Sequence, residues 1–192
     1  MADQSDISAT EKLVAAVSES YGKVDILFIN AGITTLSPIE AASEQHFDDI
    51  MDINFKGAYF TLSKFVPILR DAASVVFLSS IVASINHAGS SVYSASKAAL
   101  NSVMKTAAIE LAPRRIRVNA VSPGPTETEI MNKAGLDAAT LSTIKDSLLN
   151  KIPLNRMGTA QDVASMVAYL CDDAAGFITG AEIIIDGGMV IV

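Results

Sequence analysis

Short continuous apolar runs at 24–29, 75–78, 116–121 and 183–185 alternate along the chain with longer segments whose apolar residues return every three or four positions. Runs of that length bounded by turn residues read as buried strands, and the periodic segments read as helices. The first helix is expected to open on a capping box, Ser8-Ala9-Thr10-Glu11, and to stop at Gly22. Ser43 can cap a long helix through about residue 70, bent near Pro67, whose missing N–H breaks the hydrogen-bond ladder. A helix at 91–112 follows, then a loop enforced by Ser122-Pro123-Gly124-Pro125-Thr126 and an irregular insertion at 126–157. A last helix, capped by Thr159-Ala160-Gln161-Asp162, runs to about Cys171. Strands alternating with helices predict βα units in one parallel sheet, an α/β fold in a single domain over 1–192.

Two of these helices are apolar almost all round. The segment 43–70 carries Phe47, Ile50, Met51, Ile53, Phe55, Tyr59, Phe60, Leu62, Phe65 and Leu69, and 91–112 carries Val92, Leu100, Val103, Met104 and Leu111 among alanines. A helix on a sheet needs only one apolar face, so the other is expected to be covered by a second copy, giving a homodimer or homotetramer through helices 43–70 and 91–112.

Composition narrows the function classes. A net charge of −7 argues against nucleic-acid and acidic-membrane partners, because phosphates need clustered Lys and Arg. Arg114, Arg115 and Arg117 form the only dense basic group and are expected to be solvated. One cysteine, Cys171, excludes an internal disulfide and a cysteine-based metal site, and reads as helix packing in a reducing compartment. No His, Cys or carboxylate spacing suggests a metal. The start, MADQSDISATEK, lacks the basic and apolar parts of a signal peptide, and no apolar run approaches a membrane span, so a cytoplasmic protein is expected.

Candidate chemistry lies in 79–105. Tyr93 and Lys97 stand four residues apart on one helical face, and an ammonium beside a phenol favours the phenolate. Ser80, at the end of a strand, adds a hydroxyl for the oxygen of a carbonyl or alcohol. The ordinary alternative is a core aromatic beside a solvated lysine. His46 matches no catalytic position. His87, in the loop between Ser80 and Tyr93, is either a surface histidine or part of a substrate pocket wall.

The set becomes specific in order: Asn30-Ala31-Gly32 at a strand end, Asn54 in the next helix, Ser80 after the next strand, Tyr93 thirteen positions on, Lys97 four further, and Pro123-Gly124 after the following strand. With Arg156-Met157-Gly158, Thr179-Gly180 and Asp186-Gly187-Gly188, it resembles the classical short-chain dehydrogenase/reductase family over residues 3 to 188. The resemblance implies a Rossmann-like doubly wound sheet and an NAD(P)-dependent oxidoreductase interconverting a secondary alcohol and a ketone. By the same resemblance Tyr93 is the acid/base, Lys97 lowers its pKa and holds the nicotinamide ribose, and Ser80 orients the substrate. Asn54 holds a water that links Lys97 to solvent. Asp3, Asn30, Ala31 and Gly32 take the adenosine side of NAD or NADP, and Pro123, Gly124, Thr126 and Thr128 the nicotinamide end. Residues 126–157, with Met131, Leu136, Leu141, Ile144 and Leu148, are expected to form an apolar lid over a small alcohol or ketone.

The sequence departs from the family pattern at Ala83, commonly Gly, and at Ile29-Asn30, where two Asn are usual. It also carries no G-x-x-x-G-x-G before Asn30. The family's first two strands and their helices, which cradle the pyrophosphate, are expected to be missing. That leaves the choice between NAD and NADP unread and opens an alternative, a non-catalytic remnant or assembly subunit that binds no dinucleotide.

Overall fold

The computed structural model describes residues 2–127 and 138–192. Four parallel strands, β1 (Val24–Ile29), β2 (Leu69–Leu78), β3 (Arg117–Pro123) and β6 (Glu182–Ile185), form one sheet in the order β1-β2-β3-β6. Val75, Val76 and Phe77 of β2 are all fully buried. Alternate strand residues face opposite sides, so burial of consecutive ones means that both faces are covered. Val75 and Phe77 pack with Leu62, Phe65, Leu100 and Met104, while Val76 packs with Val121, Val167 and Leu170 on the other side.

The covering helices on the first face are α1 (Ile7–Tyr21), α3 (Ala58–Phe65) and α4 (Ser91–Leu111); α6 (Ala160–Cys171) covers the second. Thr159 and Asp162 close the expected capping box at the start of α6. At α1 the cap is two residues earlier than the sequence suggests. The Asp6 carboxylate accepts the Ser8 N–H at 2.8 Å, and Glu11, freed from a capping role, pairs with Lys64.

The single long helix expected over 43–70 is three pieces. Ser43 caps α2 (Glu44–Met51) as expected; a π turn follows at Asp52–Gly57, then α3. The break falls at the π turn rather than at Pro67, which sits in the closing 3-10 turn Val66–Ile68, where its missing N–H matters little. Leu69 already belongs to β2, so that strand is six residues longer than its apolar run. Val24 lies opposite Leu69 and Ile26 opposite Ser74, and the surplus on β2 is taken up by a bulge with Ala72 in the left-handed region, φ 64°.

Two of the three arginines expected to be solvated instead tie elements together. Arg114 donates to the Val66 and Leu69 carbonyls and to Asp71, and Arg117 donates to the Leu170 and Asp172 carbonyls. Two short strands, β4 (Thr126–Glu127) and β5 (Gly158–Thr159), pair in parallel and flank α5 (Ala138–Leu149). Several large apolar side chains stay exposed: Phe47, Tyr59 and Ile109 on α2, α3 and α4, and Ile26 and Phe28 on the end strand β1. Among the described residues no helix is long and apolar enough to cross a membrane, and no group of three or more His, Cys, Asp or Glu is placed to hold a metal.

Candidate active site

In a parallel sheet the C-terminal strand ends all point the same way, and loops leaving them converge on one edge. Here β1 runs into Asn30-Ala31-Gly32, β2 into Ser79-Ser80 and β3 into Gly124. Over that edge lies a cavity of about 580 Å³, whose wall includes Asn30, Ser80, Tyr93, Pro123, Gly124 and Thr126. Six of the residues singled out in the sequence therefore meet on one surface. Leu148 of the expected lid joins them, while Thr128, Met131 and Leu136 lie outside the described residues.

Ser80 and Tyr93 are brought together by the turn between them. Ser80 is extended, φ −165°, and its Oγ caps the 3-10 turn Ile81–Ala83 by accepting the Val82 N–H at 3.4 Å. The same hydroxyl is near enough to the Tyr93 phenol to favour its ionised form. Lys97, one helical turn on, is 4% exposed; its Nζ donates to the Leu78 carbonyl at 2.8 Å and lies 5.9 Å from the centre of the Tyr93 ring. Burial pulls the Lys97 ammonium down to about 8.

Here the expectation of a phenolate is corrected. Burial pushes the Tyr93 phenol upward, and the neighbouring Ser80 hydroxyl offsets only part of that rise. Taking a charge out of water is the larger influence, so the group stands ready as a neutral proton donor.

Asn54 is 1% exposed in the π turn, and its amide is already engaged. Oδ1 accepts the Ile33 N–H at 2.8 Å, and Nδ2 donates to the Ile33 carbonyl at 2.9 Å and to Ser96 Oγ at 3.2 Å. Both amide hydrogens are spent, so the side chain braces the segment after Asn30-Ala31-Gly32 against α4. Gly32 fits because it has no side chain: a Cβ there would lie 3.2 Å from Asn54 Oδ1 and 3.4 Å from Lys97 Nζ. Gln4, which no sequence signal marks, adds a second brace by donating to the Ile53 carbonyl at 2.9 Å and the Ala31 carbonyl at 3.4 Å.

The remaining candidates are apart from the wall. Ala31 and Gly32 do not line the cavity, and neither does Asp3. The Asp3 carboxylate accepts the Ser5 N–H and hydroxyl, bonds that lower its pKa.

A polar ligand has a place on this wall. Ser79 is 3% exposed, lines the cavity, and its Oγ has no hydrogen-bond partner. A buried hydroxyl left unpaired is costly, and an amide or ribose group in the cavity would relieve it. Asn30, Ser79, Pro123, Gly124 and Thr126 could thus hold the nicotinamide end of a dinucleotide, which moves Asn30 from the adenosine side where the family resemblance put it.

Residues 1–190 match the family model described as enoyl-(acyl carrier protein) reductase. A 3-oxoacyl-[acyl-carrier-protein] reductase of Staphylococcus epidermidis is 39% identical over 181 residues, covering 93% of this chain and 72% of the relative. One of Thermotoga maritima is 37% identical over 188 residues, covering 97% and 74%. Among solved structures, the ligand-free aldohexose dehydrogenase of Thermoplasma acidophilum superposes with a TM-score of 0.92 at 31% identity, over 99% of this chain and 77% of that one. In sequence and in backbone alike, this chain belongs to the classical short-chain dehydrogenase/reductase family of oxidoreductases, with its Rossmann-like parallel sheet.

Proposed function

We propose that this chain interconverts a secondary alcohol and a ketone with NAD or NADP as redox partner. The observation that supports this most directly is the meeting of Ser80 and Tyr93 on one cavity wall, with the buried Lys97 ammonium 5.9 Å from the centre of the Tyr93 ring. A bound nicotinamide would supply or accept the hydride. In the reduction direction Ser80 donates to the carbonyl oxygen and Tyr93 gives it a proton; in oxidation the phenol oxygen takes the proton back. A positioned acid of this kind contributes roughly 10²- to 10⁴-fold in rate. Lys97 favours the phenolate that remains after donation, because its positive charge lies on the same side of the ring. Asn30, Ser79, Pro123, Gly124 and Thr126 hold the nicotinamide end, with Thr128, Ala31, Gly32 and Asp3 as further cofactor contacts carried by the family resemblance alone.

The two relatives cited above are named for 3-oxoacyl substrates, so 3-oxo compounds are the first to try. Purified protein is incubated with NADH or NADPH and a panel of 3-oxo esters and simple ketones, and cofactor absorbance is followed. The Tyr93→Phe variant is expected to lose activity by roughly 10²-fold or more while unfolding at the same urea concentration. Retained turnover removes Tyr93 from the role.

A homodimer or homotetramer through α2, α3 and α4 belongs to the same reading. Phe47, Tyr59 and Ile109 stand out from these helices, and a groove of about 350 Å³ runs between α3 and α4. Light scattering that reports a monomer removes it. The second reading is a subunit that binds no dinucleotide. Micromolar NADH or NADPH binding in a fluorescence titration excludes it.

A further inference from the structure

Among the described residues, His87 is the one ionisable residue besides Tyr93 that lines the main cavity. Among the described residues its ring makes no hydrogen bond; only its backbone does. The chain's other histidine is different, with His46 Nδ1 3.2 Å from Thr35 Oγ1.

The backbone that carries His87 is fixed on both sides. Ser90, 3% exposed, donates its hydroxyl to the His87 carbonyl at 2.8 Å and its N–H to the same oxygen at 3.1 Å. The His87 N–H donates back to Ser90 Oγ at 3.3 Å, and Ser94 Oγ is 3.0 Å from that hydroxyl. Two residues after His87, the Gly89 carbonyl accepts the Ser37 N–H at 2.9 Å, and Gly89 itself has φ 79°, a conformation suited to glycine. The backbone of His87 is therefore fixed just before the first turn of α4, the helix that presents Tyr93.

The part of the wall formed by residues 80–93 is Ser80, Ile81, Val82, His87 and Tyr93. Ser80 and Tyr93 address the reacting oxygen, while the side chains of Ile81 and Val82 offer no polar atom. The rest of a substrate meets one hydrogen-bonding group on this side. An imidazole keeps at least one N–H donor in either charge state.

We propose that His87 is a specificity-determining residue: its ring donates a hydrogen bond to a second oxygen of the substrate, a carbonyl or carboxylate beyond the reacting carbon. The site thereby selects oxo esters and oxo acids over ketones with plain hydrocarbon chains. This deepens the proposed reductase reading and rests on it for the word substrate.

Two measurements test it. In the first, kcat and KM are compared for ethyl acetoacetate and for 2-heptanone, which has the same chain length without the ester oxygens, in wild type, His87→Leu and His87→Gln. His87→Leu is expected to raise KM for ethyl acetoacetate about tenfold with kcat little changed, to leave 2-heptanone unaffected, and to be rescued largely by His87→Gln, whose amide can donate. Equal effects on both substrates, or none, overturn the proposal.

The second measurement needs no turnover. With two histidines in the chain, proton NMR shows two sets of ring signals, and His87→Gln identifies one of them. Titration with acetoacetate, with and without NADPH, is expected to move the His87 signals and leave those of His46. Signals that stay still in both titrations overturn the proposal. Moving signals in a protein that reduces none of the panel would keep the His87 site and remove the reductase reading instead.

Discussion

Lys97 stands where stability and chemistry pull in opposite directions. Its ammonium is buried, and burial draws its pKa from 10.5 to about 8. Below about 8 folded and unfolded chains both carry the proton, and the fold bears the whole penalty of the buried charge. Between about 8 and 10.5 the unfolded chain binds more protons than the folded one, so stability rises with pH across that window. At about 1.4 kcal/mol per decade, the penalty is about 3 kcal/mol. Lys97→Met keeps the length and bulk of the side chain, removes the charge, and loses the bond to the Leu78 carbonyl, which offsets about 1 to 2 kcal/mol of the gain. The variant is expected to be more stable than wild type by about 1 to 2 kcal/mol near pH 7, and less stable by up to about 1 kcal/mol near pH 10. Urea unfolding followed by circular dichroism at both pH values measures this, and every group shared by the two proteins cancels in the difference. Turnover should fall by about a hundredfold or more in the same variant. A stability difference that stays flat from about pH 7 to about pH 10 refutes the assignment of Lys97 as a charge held in the fold at its expense.

The same pKa predicts a pH profile for the reaction: kcat/KM should decline as pH rises through about 8 and the ammonium is lost, and Lys97→Arg, charged throughout, should move that decline to higher pH. Asn54→Leu strands the N–H and carbonyl of Ile33, and should cost about 3 kcal/mol in urea unfolding; a loss under about 1 kcal/mol would mean that the brace is dispensable. Gly124→Ala places a Cβ 2.7 Å from Asp186 Cβ and 2.9 Å from its Cα, so backbone must move; a destabilisation of about 1 to 3 kcal/mol is expected by thermal unfolding. Thr159→Ala removes the α6 cap and should cost about 1 kcal/mol with turnover unchanged.

The four sheet strands could be read from the sequence because each contains a short apolar run, clearest at 75–78, where β2 is covered on both faces and no polar position interrupts it. Tyr93, Lys97 and Ser80 were legible for a related reason: their meeting depends on one helical turn and one strand end, both local. What escaped were features set by distant partners. Ile33, 21 residues before Asn54, decides what that side chain does. The start of β2 at Leu69 is held by Arg114, 45 residues later, while Leu-Arg-Asp-Ala-Ala has nothing strand-like in itself. The π turn at Asp52–Gly57 hides because its apolar residues satisfy an α-helical spacing equally well. The direction of the Tyr93 shift depended on how deeply the ring is buried, which spacing does not report.

The small ribbon of β4 and β5 has a consequence for how such a protein diversifies. Thr126 pairs with Gly158 and Glu127 with Thr159, so the two ends of the insertion are fastened side by side. Lengthening a segment whose ends are already held together adds only about 0.6 kcal/mol per doubling. The insertion can therefore be extended at little cost to the sheet, provided that Ile152 and Met157 keep their packing against Ile81 and Met189.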